Sequence, residues 1–352
     1  MSHFLRFLVL CTILWSVSGC KEKPEEDYVT TPYTLEIPAW FPPIDQFIPA
    51  DNQMTVEGVA LGRKLFYDPI LSGDNTQACA SCHLQENGFS DPRAFSEGIS
   101  GEFGNRNAMA VINLGWNQFG FFWDGRDKTL EDQALGPVVN PIEMNTTWPE
   151  VEAKLNADAE YSLLFKQAYG IDVIDSLHVA KAIAQFERTL ISGNSKFDRF
   201  YNQKIEQLTA LEARGFVLYT TEAGDCFHCH GLGGLITDNR FHNNGLDQMF
   251  KDSGRYKVTG NADDIGLFRT PTLRNIELTA PYMHDGRFFT LEQVVEHYSE
   301  HVKPSPTIDP LMKKVGTGGL QLSEQDKKAL VAFLKTFTDS KFATNTNFSK
   351  PN

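Results

Sequence analysis

Apolar residues recur at helical spacing along much of this chain, whereas long runs of alternating apolar and polar residues are scarce. After a possible N-cap at Ser176, one apolar stripe contains Val179, Ile183, Phe186 and Leu190. After Ser323, a second stripe contains Leu330, Phe333, Leu334 and Phe337. Thr290 and Gln293 have the spacing of a capping box that opens a helix from Leu291 to Tyr298. The pattern predicts a mainly α-helical fold.

The N-terminal part of the sequence carries its long apolar run, residues 4–17, with Arg6 inside it. The run is short for a membrane span and predicts a secretory signal. It ends in Val17-Ser18-Gly19-Cys20, which resembles the lipobox at which bacterial lipoproteins are cleaved and lipidated. We therefore predict a lipoprotein signal peptide over residues 1–19 and a periplasmic or cell-envelope protein that is anchored to a membrane by lipid on Cys20. An uncleaved leader with an incidental cysteine is the alternative.

Residues 20–49 are predicted to form a tether and then an extended strap on the first domain. Prolines that block regular helix punctuate this segment: Pro24, Pro32, Pro38, Pro42, Pro43 and Pro49. The whole chain has 352 residues, 41% hydrophobic and 22% charged, which suits a globular protein of about two domains. Its formal net charge of −13 argues against nucleic-acid binding and only weakly favours a basic redox partner.

Two copies of Cys-x-x-Cys-His have the form of covalent attachment sites for c-type haem. In such a site the two thiols form thioethers with the porphyrin vinyl groups, and the adjacent histidine becomes the proximal iron ligand. We therefore predict two covalently bound haem c groups, held by Cys79, Cys82, His83, Cys226, Cys229 and His230. Export agrees with this prediction, because bacteria attach haem c outside the cytoplasmic membrane.

Zinc is the main alternative for these cysteines, since two Cys-x-x-Cys pairs can build one tetrahedral site. A site of four thiolates would not need a histidine after each pair. Disulfides explain the pattern less well, because Cys11 and Cys20 lie in the leader and only the haem-type cysteines remain.

A loose internal repeat surrounds the two motifs. Residues 61–67 precede the first motif and residues 213–219 precede the second, each as an apolar segment with the character of a helix. We predict two tandem cytochrome c-like domains, over residues 50–200 and 201–345, each with one haem and with long loops packed on the haem faces.

Four further strings lie between and after the haem motifs: Phe122-Trp123-Asp124-Gly125-Arg126, residues 136–144, Thr272-Leu273-Arg274-Asn275 and residues 280–286. Together with the paired motifs, they resemble the bacterial dihaem cytochrome c peroxidase and MauG-like family over roughly residues 49–337. The resemblance implies a peroxidatic haem in the first domain and an electron-transfer haem in the second.

The resemblance also implies roles for four side chains. Glu143 matches the distal acid–base residue, where one carboxylate can move protons between the two oxygens of peroxide. Gln133 and Pro137 match other distal positions, where an amide binds peroxide and a proline limits access. Trp123 matches the tryptophan between the haems, which relays electrons. The alternatives are a surface glutamate, ordinary helix and turn residues, and a core tryptophan.

The family's interdomain calcium site is matched by Asn107, Thr279 and Pro281, the last two through backbone carbonyl oxygens. Calcium accepts such hard oxygen ligands. The match at Asn107 requires a one-residue insertion before Trp123.

Two departures from the common peroxidase pattern affect the mechanism. Many members carry a histidine after the first haem motif that blocks the iron until the second haem is reduced, but this chain has no histidine between His83 and His178. We therefore expect an open first site that needs no reductive activation, with Met109 or Met144 as the alternative blocking ligands.

The second departure is Tyr298, at the position where typical members have the methionine ligand of the second haem and MauG has tyrosine. A phenolate stabilises ferric iron, whereas an axial methionine raises the reduction potential. The alternatives are ligation by Met283, Met312 or His297, or none. No role is predicted for His228, His242 or His301.

The sequence thus predicts a dihaem peroxidase that reduces hydrogen peroxide with electrons from an external donor, such as a small cytochrome c, a cupredoxin or a quinol-linked carrier. MauG-like oxidation of a residue on a partner protein is one alternative, and a non-catalytic electron carrier is another. The family often dimerises, so a homodimer is also an expectation.

Overall fold

The computed structural model describes residues 28–351, so the predicted signal peptide, Cys20 and the start of the predicted tether lie outside the described residues. The helices of this range are α1 (Val56–Tyr67), α2 (Leu130–Val139), α3 (Trp148–Ala157), α4 (Ala159–Tyr169), α5 (Ser176–Thr189), α6 (Ala210–Tyr219), α7 (Tyr256–Thr259), α8 (Leu291–Glu300), α9 (Glu324–Lys335) and α10 (Ser340–Ala343). Strands β1 (Phe241–His242) and β2 (Phe268–Arg269) form an antiparallel pair. The mainly α prediction is confirmed, and no helix within residues 28–351 has the length and apolar character to span a membrane.

The helix starts follow local capping chemistry. Thr290 and Gln293 form the predicted capping box of α8, with the Thr290 amide donating to Gln293 Oε1 at 3.1 Å. Ser323 caps α9 as predicted. The prediction for α5 was wrong by one residue, because the N-cap is Asp175, whose carboxylate accepts from the His178 amide at 2.9 Å.

The two halves of the molecule are built around the same helix crossing, of α1 with α5 and of α6 with α9. A Cβ added to Gly62 would lie 1.8 Å from the Ala182 carbonyl oxygen, and one added to Gly215 would lie 2.0 Å from the Ala329 carbonyl oxygen. Glycine is therefore required at both crossings, because the helix backbones touch there.

Each crossing lies at the centre of an apolar core. Phe186 and Phe333, each four residues beyond the alanine at the crossing, are fully buried in the first and second core respectively. The first core draws on helices α1 to α5, and the second on α6, α8 and α9. The C-terminal segment returns to the first half, where Phe342 is buried in the core and Phe348 packs against it.

A buried ion pair lies where the two halves meet. Both terminal nitrogens of Arg274 donate to Asp198, at 2.8 and 2.9 Å, and neither side chain has exposed surface. The described part of the predicted strap reaches the same place, since the Trp40 indole donates to Asp198 at 3.1 Å and Phe41 lies 4.8 Å from the Arg274 guanidinium. The strap and the Thr272 to Asn275 string therefore contact the same carboxylate.

Candidate functional site

The first Cys-x-x-Cys-His motif follows α1. Nδ1 of His83 lies 3.0 Å from the carbonyl oxygen of Phe89, six residues later. Phe89 is fully buried and has a φ of 56°, a left-handed conformation that bulky residues rarely adopt. A carbonyl at Nδ1 holds the proton on that nitrogen, which leaves Nε2 available as an iron ligand.

The second motif follows α6 and repeats this arrangement. The residue six positions after His230 is Ile236, which is also fully buried and has a φ of 52°. Burial lowers the pKa of His230 to about 4, against the opposing effect of the Ile236 carbonyl, although no well-aligned hydrogen bond reaches Nδ1. A β-branched residue in this conformation is a backbone outlier. Its recurrence at the same offset indicates that both halves place a carbonyl beside the histidine ring.

The side chains predicted for the distal side of the first site lie on α2 and the turn after it. Gln133 and Pro137 are one helical turn apart and share a face of α2. In the following turn, Asn140 donates from Nδ2 to the Glu143 carboxylate at 2.7 Å. Burial raises the pKa of Glu143, although the Asn140 hydrogen bond opposes the shift. The carboxyl is thus held in place and retains a proton more readily than a surface glutamate.

Two acids lie near the first cysteine pair. Burial raises the pKa of the Cys79 thiol, and the charges of Glu187 and Glu143 raise it further. Glu187 is 5% exposed, its Oε2 has no hydrogen-bond partner among the described residues, and burial raises its pKa to about 8. The equivalent position in the second half is Leu334, which lines the cavity there. Sequence reasoning missed Glu187, whose one signal is an acid within the apolar stripe of α5.

The two methionines considered as blocking ligands of the first site both have other surroundings. Met144 is buried in the first apolar core. The sulfur of Met109 accepts a hydrogen bond from Nη2 of Arg269 at 3.4 Å, in the wall of the cavity beside the second motif, which is called the second cavity below.

A cavity opens beside the second motif, with an empty volume of about 2140 Å³ that includes space open to solvent. Cys226, Cys229 and His230 line it, as do Tyr298, Met283 and Met312. Burial raises the pKa of Tyr298 to about 12, opposed by a hydrogen bond from Asn244 to the phenolic oxygen at 3.0 Å. Tyr298 and two of the predicted alternatives for the sixth ligand therefore line the same cavity.

His297, the third alternative residue, is placed differently. It is 3% exposed, its ring packs against Phe288, and Nε2 lies 3.4 Å from the Asn244 carbonyl oxygen. It is not among the described residues that line the second cavity.

Arg269 in the wall of this cavity is a buried cation with no anionic partner among the described residues. It is 5% exposed, and Nε and Nη1 have no hydrogen-bond partner among the described residues. Burial lowers its pKa to about 10. A buried charge requires compensation, and haem carries two carboxylates that can supply it. Apolar walls, paired thiols, a histidine and an unpaired guanidinium together fit a haem c group.

His242 lies between two carboxylates at the same cavity. Nδ1 is 2.6 Å from Asp309 and Nε2 is 2.8 Å from Asp238. Burial alone would lower the pKa of His242, but these two hydrogen bonds outweigh it and raise the pKa to about 12. The two carboxylates therefore favour the protonated ring, which joins residues 238–242 to Asp309.

Trp123 and the predicted calcium ligands also border this cavity. The Trp123 side chain is 8% exposed, and its indole donates to the Asn107 carbonyl oxygen at 2.8 Å. Asn107, Thr279 and Pro281 all line the cavity. The side-chain amide of Asn107 donates to the Arg93 carbonyl at 3.1 Å, which leaves its oxygen free to act as a ligand.

Known proteins share much of this sequence. Residues 56–206 match the family model of di-haem cytochrome c peroxidases. The methylamine utilization protein MauG of Methylorubrum extorquens is 38% identical over 291 residues, which cover 82% of this chain and 80% of that protein. The chain belongs to the dihaem cytochrome c peroxidase and MauG family. Within this family, cytochrome c551 peroxidase of Nitrosomonas europaea is 36% identical over 286 residues, 79% of each protein.

Solved structures give the same result. A MauG-like protein associated with microbial copper homeostasis superposes with a TM-score of 0.83 at 37% identity, covering 91% of this chain and 99% of that chain. The dihaem peroxidase BthA of Burkholderia thailandensis, at 23% identity and a TM-score of 0.72, shares the fold over 86% of this chain and 91% of its own. Membership in the dihaem cytochrome c peroxidase and MauG family confirms the predicted resemblance, the haem c cofactors and the class of enzyme, a peroxidase-type oxidoreductase. The zinc alternative is therefore rejected.

Proposed function

We propose that this protein is an extracytoplasmic peroxidase that reduces hydrogen peroxide to water with electrons from an external protein donor. The reaction consumes two electrons and two protons for each peroxide and yields two waters. Haem supplies the redox-active iron when it is bound. The chain would hold the haems through the two Cys-x-x-Cys-His motifs, with His83 and His230 as proximal ligands and Tyr298 as the sixth ligand of the second haem.

The observation that carries this proposal is the state of Glu143. Its side chain is partly buried and accepts a hydrogen bond from Asn140 at 2.7 Å. Its charge also raises the pKa of the Cys79 thiol in the first motif. Because burial raises its pKa, the carboxyl can release a proton to one oxygen of peroxide and recover one from the other. Gln133 and Pro137, on one face of α2, would orient peroxide and restrict the entrance.

Electron passage between the halves would use Trp123. Its indole is fixed by the hydrogen bond to the Asn107 carbonyl, and its backbone carbonyl accepts from the Arg269 amide at 2.8 Å. Calcium on Asn107, Thr279 and Pro281 would stabilise this region, because the Asn107 backbone holds the indole while its side chain binds the ion. The predicted leader with Cys20 supports an extracytoplasmic, lipid-anchored location.

Substitution of Glu143 tests the proposal. Glu143→Gln removes the transferable proton but keeps the shape, so peroxide turnover should fall by about 10²- to 10⁴-fold. Haem content and the ferric spectrum should stay unchanged. Glu102→Gln, a substitution of an exposed glutamate, is the matched control and should leave turnover unchanged. Normal turnover in Glu143→Gln would remove this residue from the mechanism.

Peroxide-driven oxidation of a residue on a partner protein is the second candidate. Tyr298 favours it, because this side chain lies in the cavity with Cys226, Cys229 and His230, and a phenolate ligand stabilises oxidised iron. If peroxide converts the protein to a long-lived oxidised state that does not oxidise a reduced cytochrome c, this second function replaces the first.

A further inference from the structure

The side-chain amide of Asn244 lies between two candidate ligands of the second haem. Nδ2 donates to the phenolic oxygen of Tyr298 at 3.0 Å and lies 3.5 Å from the sulfur of Met283. All three residues line the second cavity together with His230. An amide nitrogen carries two protons, so one side chain can serve both atoms at once.

The backbone around Asn244 is fixed on both sides. Asn243 donates from Nδ2 to Ser305 Oγ at 2.9 Å and to Thr307 Oγ1 at 3.0 Å. On the other side, the Gly245 carbonyl accepts from the Lys303 amide at 2.8 Å. Because its two neighbours are anchored to the loop of residues 303–309, Asn244 presents its amide from a defined position.

We propose that Asn244 is a positioning residue that selects Tyr298 over Met283 as the side chain presented to the second haem. This inference rests on the proposed function, in which Tyr298 is the sixth ligand. One amide proton occupies one lone pair of the phenolic oxygen, and another lone pair of this oxygen could bind the iron of the haem. The other proton engages the sulfur of Met283, which makes this sulfur less available as a ligand.

The charge of the ligand strengthens this selection. A phenolate accepts a stronger hydrogen bond from an amide than a neutral oxygen or a thioether does. Asn244 therefore stabilises the phenolate more than it stabilises the sulfur. Without this donor, the balance shifts toward methionine, which is uncharged and needs no hydrogen bond in an apolar pocket.

The test uses the complete ferric holoprotein without peroxide, and it reads the absorption spectrum and the reduction potential of the second haem. Asn244→Leu removes the donor, and Asn244→Asp keeps the shape but places a carboxylate against the phenolic oxygen. Both variants should gain the long-wavelength sulfur-to-iron charge-transfer band and show a higher second-haem potential, because methionine ligation raises it. Adding Met283→Leu to Asn244→Leu should abolish the new band.

Asn117→Leu is the matched control. Asn117 also lines this cavity, but its side-chain amide donates to the Gly120 carbonyl at 2.7 Å. This variant should keep the wild-type spectrum and potential.

Tyr298→Phe separates the possible failures. If Tyr298→Phe alters the second-haem spectrum while both Asn244 variants leave spectrum and potential unchanged, the role of Asn244 is refuted and the ligand remains. If Tyr298→Phe leaves the spectrum unchanged, Tyr298 is not the ligand and the inference fails with it. Peroxide turnover is measured separately and decides the peroxidase proposal.

Discussion

The first and second haem regions share one scaffold. Gly62 allows α1 to touch α5, and Gly215 allows α6 to touch α9. Six residues after each motif histidine, a buried residue with a left-handed backbone places its carbonyl near the ring, Phe89 in one half and Ile236 in the other. The elements that repeat are those that would hold a haem by its thiols and its proximal histidine.

The regions differ in the side chains around that scaffold. The first half places two acids near its cysteine pair, Glu143 and Glu187. The second half has an apolar residue, Leu334, where the first has Glu187, and it lines its cavity with Tyr298. The comparison supports the proposal that the repeated scaffold holds the haems, while the unrepeated side chains would provide proton chemistry in the first region and an iron ligand in the second.

The largest effect is expected from adding a side chain at the glycine of each helix crossing. Gly62→Val and Gly215→Val would drive a side chain into a backbone carbonyl, so each should lower the free energy of unfolding by more than about 4 kcal/mol. Gly316→Ala, where an added Cβ meets no atom within 4 Å, is the control. Denaturant unfolding of the holoproteins measures the effect. A loss of unfolding free energy below about 1 kcal/mol at either crossing would show that the two crossings are not equivalent.

The buried acid of the first region predicts a pH dependence that its counterpart in the second region, Leu334, cannot contribute. Because burial raises the pKa of Glu187 to about 8, the folded protein keeps a proton that the unfolded chain releases near its ordinary value of 4.5. Stability from this group is therefore present below about pH 4.5 and is lost as the pH rises toward 8. Between pH 5 and 7 the loss should be roughly 2 to 3 kcal/mol.

The variant Glu187→Gln removes this titration, so its unfolding free energy should fall less than that of the wild type over the same pH range. Leu334→Ala, at the equivalent position, should lower stability by a pH-independent amount. Parallel pH profiles for the wild type and Glu187→Gln would show that the acid does not titrate in this range.

A smaller effect, on a reduction potential, is expected from substitution of Arg269, the buried cation of the second region. Arg269→Leu removes a buried positive charge that favours the reduced haem. The reduction potential of the second haem should therefore fall by about 40 mV, which corresponds to roughly 1 kcal/mol for a one-electron couple. Arg240→Leu, a substitution of an exposed arginine on the adjoining segment, should cause little change. Spectroelectrochemical titration of the two haems measures both. A fall in the potential of the first haem alone would contradict the assignment of Arg269 to the second haem.

Much of the scaffold was predictable from the sequence, because it rests on local signals. The Thr290 to Gln293 capping box and the apolar stripes of α5 and α9 gave the helices within a residue or two, since caps and helical periodicity involve neighbours in the chain. The paired cysteine motifs predicted the haem c cofactors for the same reason. Asp175 replaced Ser176 as the cap because a carboxylate one residue earlier reached the His178 amide.

The parts that sequence reasoning missed depend on contacts distant in the chain. Asn244 meets Tyr298 across 54 residues, and Arg269 meets Met109 across 160. His242 joins Asp238 to Asp309. Nothing in the sequence around these residues distinguishes them from ordinary loop residues. The roles of Glu143, Gln133, Pro137, Trp123, Tyr298 and the calcium ligands remain predictions.

We propose above all that the first region is an open peroxidase site in which Glu143 is the acid–base residue. The most direct measurement is peroxide turnover by the as-isolated ferric holoprotein, supplied with a reduced cytochrome c and followed by donor oxidation, for the wild type and Glu143→Gln. We expect immediate turnover without prior reduction in the wild type and a loss of about 10²-fold or more in the variant. Turnover that requires prior reduction, or that is equal in the two proteins, would contradict it.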